Sequence, residues 1–271
     1  MVERRVVLVD GMHFTAVKFH WRTTAVHLHV GSYDPGSATV SVDATTRLGV
    51  SELRAGVVGA FNGGFQAKDK AGGMMVDGRV LNPLRPGLAT LAIDTKGRPW
   101  IGVWDQTLPS IAVRAVSYRQ NLGLLVDNGR PTAAASGDWG YWGGVVNSVG
   151  PEPRSALGQD GAGNLIYVAT MGHTLPFDLA KALVAVGAQV GMELDINPAW
   201  PVLTVPATPV HSRGTPLVAG LSGEQRSPSW YQTGSERDFI AVVAEPGSWQ
   251  CSLDTPGGVG PQPWVVTGTG C

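Results

Sequence analysis

The chain has 271 residues, 43% of them hydrophobic and only 15% charged, so it can bury a sizeable core beneath a surface of neutral polar groups and glycine. Its 20 basic and 21 acidic residues leave a net charge of −1, which gives no electrostatic footprint for nucleic acid or an anionic membrane. No stretch approaches the ~20 apolar residues of a membrane span, and residues 1–14 lack the apolar region of a signal peptide; a secreted or cell-surface protein would carry its targeting segment outside this sequence.

Glycine (37) and proline (19) fall between short β-type runs instead of gathering in a linker, a spacing of many strands and turns. In chain order, strands are expected at 5–9, 14–21, 25–31, 38–42, 57–61, 91–94, 100–104, 111–116, 122–126, 165–170 and 239–244. In the third of these, His27 and His29 share one strand face at a spacing that suits a metal, but no third ligand lies nearby in sequence, so the pair reads as a polar face. A short helix is expected at 48–54, after Thr45 and Thr46 and before Gly56. Asp77-Gly78 and Lys96-Gly97 each signal a hairpin. A second helix is expected at 176–186: Thr174 can cap it, Pro176 sits in its first turn, and Leu179, Ala180, Leu183 and Val186 recur at helical spacing before Gly187. It leads into a strand at 189–196.

Strand, helix, strand occurs twice in a strand-rich chain, which predicts an α+β single domain with a mixed sheet and few helices. Within 1–271, N-terminal strands would occupy 1–54, a motif-bearing core 55–200 and a loop-rich part 201–271. That last part holds both cysteines, Cys251 and Cys271, which in an oxidising compartment would close a loop of about twenty residues worth up to ~3 kcal/mol.

Three segments carry candidate chemistry. Asn62-Gly63-Gly64-Phe65 ends the strand at 57–61; its glycines permit positive φ and close approach of backbone amides to a ligand, and Asn62 offers a donor and an acceptor. The same residues also suit an ordinary Asn-Gly turn. Arg154, in Pro153-Arg154-Ser155-Ala156-Leu157-Gly158, can hold a phosphate or carboxylate in a bidentate fork or form a surface ion pair, and its strand should pair with 165–170. In the strand at 189–196, Met192, Leu194 and Ile196 alternate with Glu193 and Asp195, which places both carboxylates on one face. Such neighbours repel, so one is expected to have a raised pKa and the other to stay ionised; the pair would also suit Ca²⁺. His173, between strand and helix, is a candidate proton donor, and Asn197 and Trp200 are candidate substrate contacts.

Taken in order, the Asn-Gly-Gly-Phe turn, the Pro-Arg-Ser-Ala-Leu-Gly strand and the helix leading into Glu193-Leu194-Asp195 resemble the phosphodiester glycosidase family, which includes the lysosomal uncovering enzyme. The resemblance covers about residues 55–200. The family pattern reads Asn-Gly-Gly-Phe-Phe, Pro-Arg-Thr-Ala-Ile-Gly and Leu-Asp-Gly-Gly-Gly-Ser, so Asn62, Gly63, Gly64, Phe65, Arg154 and Asp195 match it. It departs at Gln66 and at Ile196-Asn197-Pro198, where bulk replaces glycines and one backbone donor is lost.

The resemblance implies hydrolysis of the link between N-acetylglucosamine 1-phosphate and a mannose hydroxyl, or of a related bond in a cell-wall or extracellular glycan. Asp195 and Glu193 would be acid/base or nucleophile, with Asn62, Gly63, Gly64 and Arg154 orienting a carbohydrate or sugar-phosphate substrate, and no resident metal required. The rival is a catalytically silent glycan-binding or structural envelope domain, with stacking from residues such as Trp139, Tyr141, Trp142 and Trp200.

Overall fold

The computed structural model describes residues 2–33, 46–109, 114–137, 140–143, 151–207, 215–245 and 265–266. The strand expected at 38–42, the start of that at 111–116, Trp139 and both cysteines lie outside the described residues. The strands run as β1 (Val2–Val9), β2 (Met12–Phe19), β3 (Thr24–His29), β4 (Val57–Asn62), β5 (Met74–Val76), β6 (Arg79–Asn82), β7 (Ala89–Asp94), β8 (Pro99–Val103) and β9 (Ala115–Gln120). They continue as β10 (Leu124–Asp127), β11 (Arg130–Pro131), β12 (Glu152–Asp160), β13 (Leu165–Thr174), β14 (Ala188–Ile196), β15 (Leu203–Pro206), β16 (Leu217–Ala219), β17 (Phe239–Ala244) and β18 (Val265–Val266). Among the described residues the α-helices are α1 (Val50–Ala55), α2 (Pro176–Ala185) and α3 (Trp230–Thr233), and no helix is long and apolar enough to cross a membrane.

Hydrogen bonding gathers these strands into three sheets: β11-β10-β14-β12-β13-β2-β1-β18, β16-β15-β4-β17-β3, and β6-β5-β9-β7-β8. Every neighbouring pair of strands is antiparallel. This corrects the mixed sheet expected from strand-helix-strand order. The unit β13-α2-β14 does return its second strand in the direction of its first, but β12 lies between the two and pairs antiparallel with both.

Period-2 alternation builds two cores on opposite faces of the large sheet. Phe14, Ala16, Ala156, Ile166 and Val168 face α2, where Leu179, Ala180 and Leu183 are fully buried. Val17, Phe19, Leu157, Leu165 and Tyr167 point the other way and meet Val58, Phe61, Leu91, Ile240 and Val242 of the two smaller sheets. Tyr167 stacks on Phe61 with ring centroids 4.6 Å apart, directly beneath the end of β4.

The turns follow their sequence signals. Asp77 and Gly78 both have positive φ (48° and 79°), as a type I′ hairpin requires. Asp94 Oδ1 accepts the N–H groups of Lys96 and Arg98 and holds the turn around Gly97. Helix α2 begins one residue later than the expected cap: Leu175 is the N-cap, Thr174 belongs to β13, and Pro176 pre-sets the first turn. Strand β9 lies further along than 111–116 because its polar residues Ser117, Arg119 and Gln120 are buried, which conceals the strand from any apolar pattern.

Candidate active site

All three sheets contribute to one buried polar cluster. Strand β4 ends at Asn62, and the following Gly63 accepts a hydrogen bond at its carbonyl from the Asp195 N–H (2.8 Å), which ties the second sheet to β14 of the first. Arg119 comes from β9 of the third sheet, while Arg237 and Asp238 immediately precede β17. Arg119 grips Asp238 through two bonds, Nε to Oδ2 (2.8 Å) and Nη2 to Oδ1 (3.0 Å), and also donates to the Phe65 carbonyl (2.7 Å).

These ion pairs explain the glycines. Neither Gly63 nor Gly64 has positive φ. A Cβ on Gly63 would lie 1.9 Å from Asp238 Oδ2, and one on Gly64 would lie 2.9 Å from the Arg119 guanidinium carbon. Glycine is required because charged side chains occupy the Cβ space, which corrects the expectation of a positive-φ loop. Nor are the amides directed to a ligand here: Gly63 N–H donates to the Asp238 carbonyl, Gly64 N–H to Asp238 Oδ2 and Phe65 N–H to Asn121 Oδ1.

Asn62 is 1% exposed, and both ends of its amide are engaged inside the protein. Its Nδ2 donates to Ser155 Oγ (2.9 Å) and to the Gly63 carbonyl (3.2 Å), and its Oδ1 accepts from the Tyr167 hydroxyl (3.0 Å) and the Val202 N–H (3.2 Å). Ser155 Oγ in turn donates to the Asp195 carbonyl (3.0 Å). Asn62 therefore braces the backbone that carries Asp195.

Glu193 and Asp195 each have their own guanidinium. Arg154 Nη1 donates to Glu193 Oε1 (2.6 Å) and to the Trp142 carbonyl (2.7 Å), and its Nε donates to the Thr174 carbonyl (3.1 Å). Arg237 Nη2 lies 2.7 Å from Asp195 Oδ2, an ion-pair distance without hydrogen-bond alignment, while Asp195 Oδ1 accepts the Ile196 N–H (2.9 Å). The simple alternation expected for β14 breaks between these residues. Arg154 and Ala156 of β12 pair with Ile196 and Glu193, so β14 carries one extra residue, a bulge. Met192 and Leu194 consequently pack in one core and Ile196 in the other.

Burial pushes both carboxyls up to about 7, against the pull of Arg154 on Glu193 and of Arg237 on Asp195. Like charge adds to the rise: Asp195 acts on Glu193, and Asp238 acts on Asp195. Burial is the leading cause of the rise in both groups. Calcium at this pair would have to compete with two guanidinium groups.

His173 is exposed on β13, and its Nδ1 bonds the Pro151 carbonyl, with no hydrogen bond to either carboxylate. Asn197 takes positive φ (89°) and turns the chain toward Trp200, its Oδ1 accepting the Ala199 N–H. Trp200 is buried beside the cluster, its ring centroid 5.5 Å from the Arg237 guanidinium and 4.6 Å from that of Arg226. Trp142 is fully buried and Tyr141 exposed. Arg119, Arg237 and Asp238 were missed by sequence reasoning. The available signal was a Glu-Arg-Asp run set against an apolar strand in a chain poor in charge.

The sequence model for phosphodiester glycosidase matches residues 55–195, from the end of α1 to Asp195 itself. The chain belongs to the phosphodiester glycosidase family. Among solved structures it is similar to the catalytic domain of zebrafish N-acetylglucosamine-1-phosphodiester alpha-N-acetylglucosaminidase auto-inhibited by pro-peptide, with 15% identity, a TM-score of 0.53 and coverage of 90% of this chain and 82% of that one. A hypothetical protein from Synechocystis is 14% identical with a TM-score of 0.49, over 89% of this chain and 61% of that one. At 15% identity the likeness to the zebrafish domain is one of fold. No match is found among curated proteins. The phosphodiester glycosidase match contains Asn62, Arg119, Arg154, Glu193 and Asp195, whereas Arg237 and Asp238 lie beyond it.

Proposed function

We propose that this chain hydrolyses a sugar-phosphodiester or glycosidic bond of a cell-wall or extracellular glycan, with Asp195 as the group that meets the reacting atoms. The observation that carries the proposal is the difference between the two acid–guanidinium pairs. Asp195 and Arg237 side chains are each 10% exposed, while those of Glu193 and Arg154 are both 0%. The Asp195 pair is thus the less deeply buried of the two, which supports Asp195 over Glu193 as the group that meets substrate. A carboxyl raised to about 7 exchanges its proton near neutral pH, as a general acid or base in turnover requires.

In such hydrolysis the bond from the anomeric carbon to oxygen breaks, water supplies the new hydroxyl, and its second proton leaves through Asp195. A phosphate leaving group departs as an anion and needs a cation more than a proton, a role that falls to Arg237. Glu193 and Arg154 act from behind as positioning residues, and Asn62 holds the Asp195 backbone through Ser155. Trp200 and Arg226 form an aromatic and cationic flank suited to a sugar phosphate. A second reading, a silent glycan-binding domain, is favoured by the full burial of Glu193 and Arg154.

The test is incubation with an N-acetylglucosamine-1-phosphodiester of methyl mannoside, measuring release of reducing sugar and phosphomonoester. The wild type should turn over, and Arg237→Ala should lower kcat/KM on the order of 10²-fold or more. Binding without turnover by the wild type would leave the silent domain; neither binding nor turnover would overturn both readings.

A further inference from the structure

A second cluster lies away from the carboxylate pairs, at an edge of the second sheet. Strand β3 is the last strand of that sheet, and period-2 geometry sends His27 and His29 to the same face while Leu28 enters the core opposite. The third ligand missing from the local sequence arrives from α1. Glu52 Oε1 lies 2.6 Å from His27 Nδ1 and 2.8 Å from His29 Nε2, and the three ligand atoms all lie within 4.8 Å of one another.

The site is built on fixed supports. Glu52 and His29 are more than nine-tenths buried. The His29 ring stacks on Phe239 with centroids 4.3 Å apart, and Glu52 Oε2 accepts the Gly49 N–H (2.6 Å), which orients the carboxylate. His27 is the open member, its side chain 43% exposed.

We infer that His27 Nδ1, His29 Nε2 and Glu52 Oε1 form a site for a divalent transition-metal ion of the zinc class, with a remaining coordination position open to solvent on the His27 side. Two imidazoles and one carboxylate are a donor set that suits zinc and disfavours calcium or magnesium, which take oxygen ligands. Bond lengths near 2.0–2.1 Å in a tetrahedral arrangement require the ligand atoms to stand about 3.3 Å apart. The His27–Glu52 pair at 2.6 Å needs to open by about 0.7 Å, a movement exposed His27 can provide, and the His29–Glu52 pair at 2.8 Å by about 0.5 Å, which a small rotation of the Glu52 carboxylate supplies. The protons now shared between the imidazoles and Glu52 leave those nitrogens, by tautomer change or release, as the metal takes their lone pairs. Bound metal would join α1 to the sheet edge just before the chain enters β4 and the Asn62 turn.

The experiment uses the full chain freed of metal by chelator dialysis. Zinc is titrated by calorimetry, cobalt(II) is added as a spectroscopic probe, and Tm is followed with zinc, calcium and magnesium. The wild type should bind zinc, give visible cobalt d–d absorption and gain several degrees in Tm with zinc but not with calcium or magnesium. His27→Ala, whose exposed side chain can be removed without disturbing the core, should weaken zinc binding at least tenfold and abolish both the cobalt spectrum and the Tm gain. Glu52→Gln should also lose the cobalt spectrum. No zinc binding by the wild type, or equal binding by His27→Ala, would overturn the inference and leave a hydrogen-bonded His-Glu-His cluster only.

Discussion

Glu193→Gln should make the protein more stable in alkali without stabilising it in acid. Glu193 Oε1 accepts from Arg154, while Oε2 is buried with no hydrogen-bond partner, so the replacement keeps shape and one acceptor. Burial raises the Glu193 pKa from its usual 4.5 to about 7. Between those values the folded chain holds a proton that the unfolded chain has released, so stability falls as pH rises through this window and the loss is complete above the folded pKa. A rise of about 2.5 pKa units at about 1.36 kcal/mol each gives a penalty of about 3 kcal/mol, present in wild type and missing from the variant. Glu224, also raised to about 7, slopes both proteins in the same direction and cancels in the comparison, while Asp195 loses its repulsion from Glu193 in the variant, which adds to the variant's advantage at high pH. Glu52 is lowered, so its contribution is present throughout this range and fails only in strong acid. Urea unfolding at about pH 5 and about pH 8 measures the difference through the midpoint at constant m. A variant-minus-wild-type difference that does not change with pH would refute the reasoning.

Gly63→Ala should destabilise the chain by at least about 1–3 kcal/mol, because the new methyl meets Asp238 Oδ2 at 1.9 Å; thermal unfolding checks this. Asn62→Ala leaves the Tyr167 hydroxyl and the Val202 N–H without their acceptor and should cost about 1–3 kcal/mol for each group left unpaired, read by urea denaturation. The non-reduced protein should have an intact mass two hydrogens below that of the reduced chain, showing a Cys251–Cys271 bridge; an unchanged mass would remove the argument for an oxidising compartment.

Strands such as β17 and helices such as α2 were legible in the sequence because their apolar periods run uninterrupted to the turn residues that end them. Strand β9 was not, since its buried face carries Ser117, Arg119 and Gln120, whose partners are remote in sequence. Asp195, Glu193 and Arg154 could be read as candidates, but the pairing of each acid with its own arginine depends on a bulge that alternation cannot foresee. The Gly63-Gly64 turn was legible as special and misread in cause: what occupies the Cβ space comes from residues 119 and 238. Glu52 likewise joins His27 and His29 only through the packing of α1 against the sheet.

The central claim is that Asp195 performs chemistry and does not merely balance Arg237. Asp195→Asn preserves the side-chain shape and the acceptor for the Ile196 N–H, so the fold should survive, as near-ultraviolet circular dichroism and Tm would show. Turnover of an N-acetylglucosamine-1-phosphodiester by wild type and variant, measured at matched substrate saturation, should differ by on the order of 10³-fold or more in kcat with little change in KM. A folded Asp195→Asn protein that releases product at the wild-type rate would contradict the account.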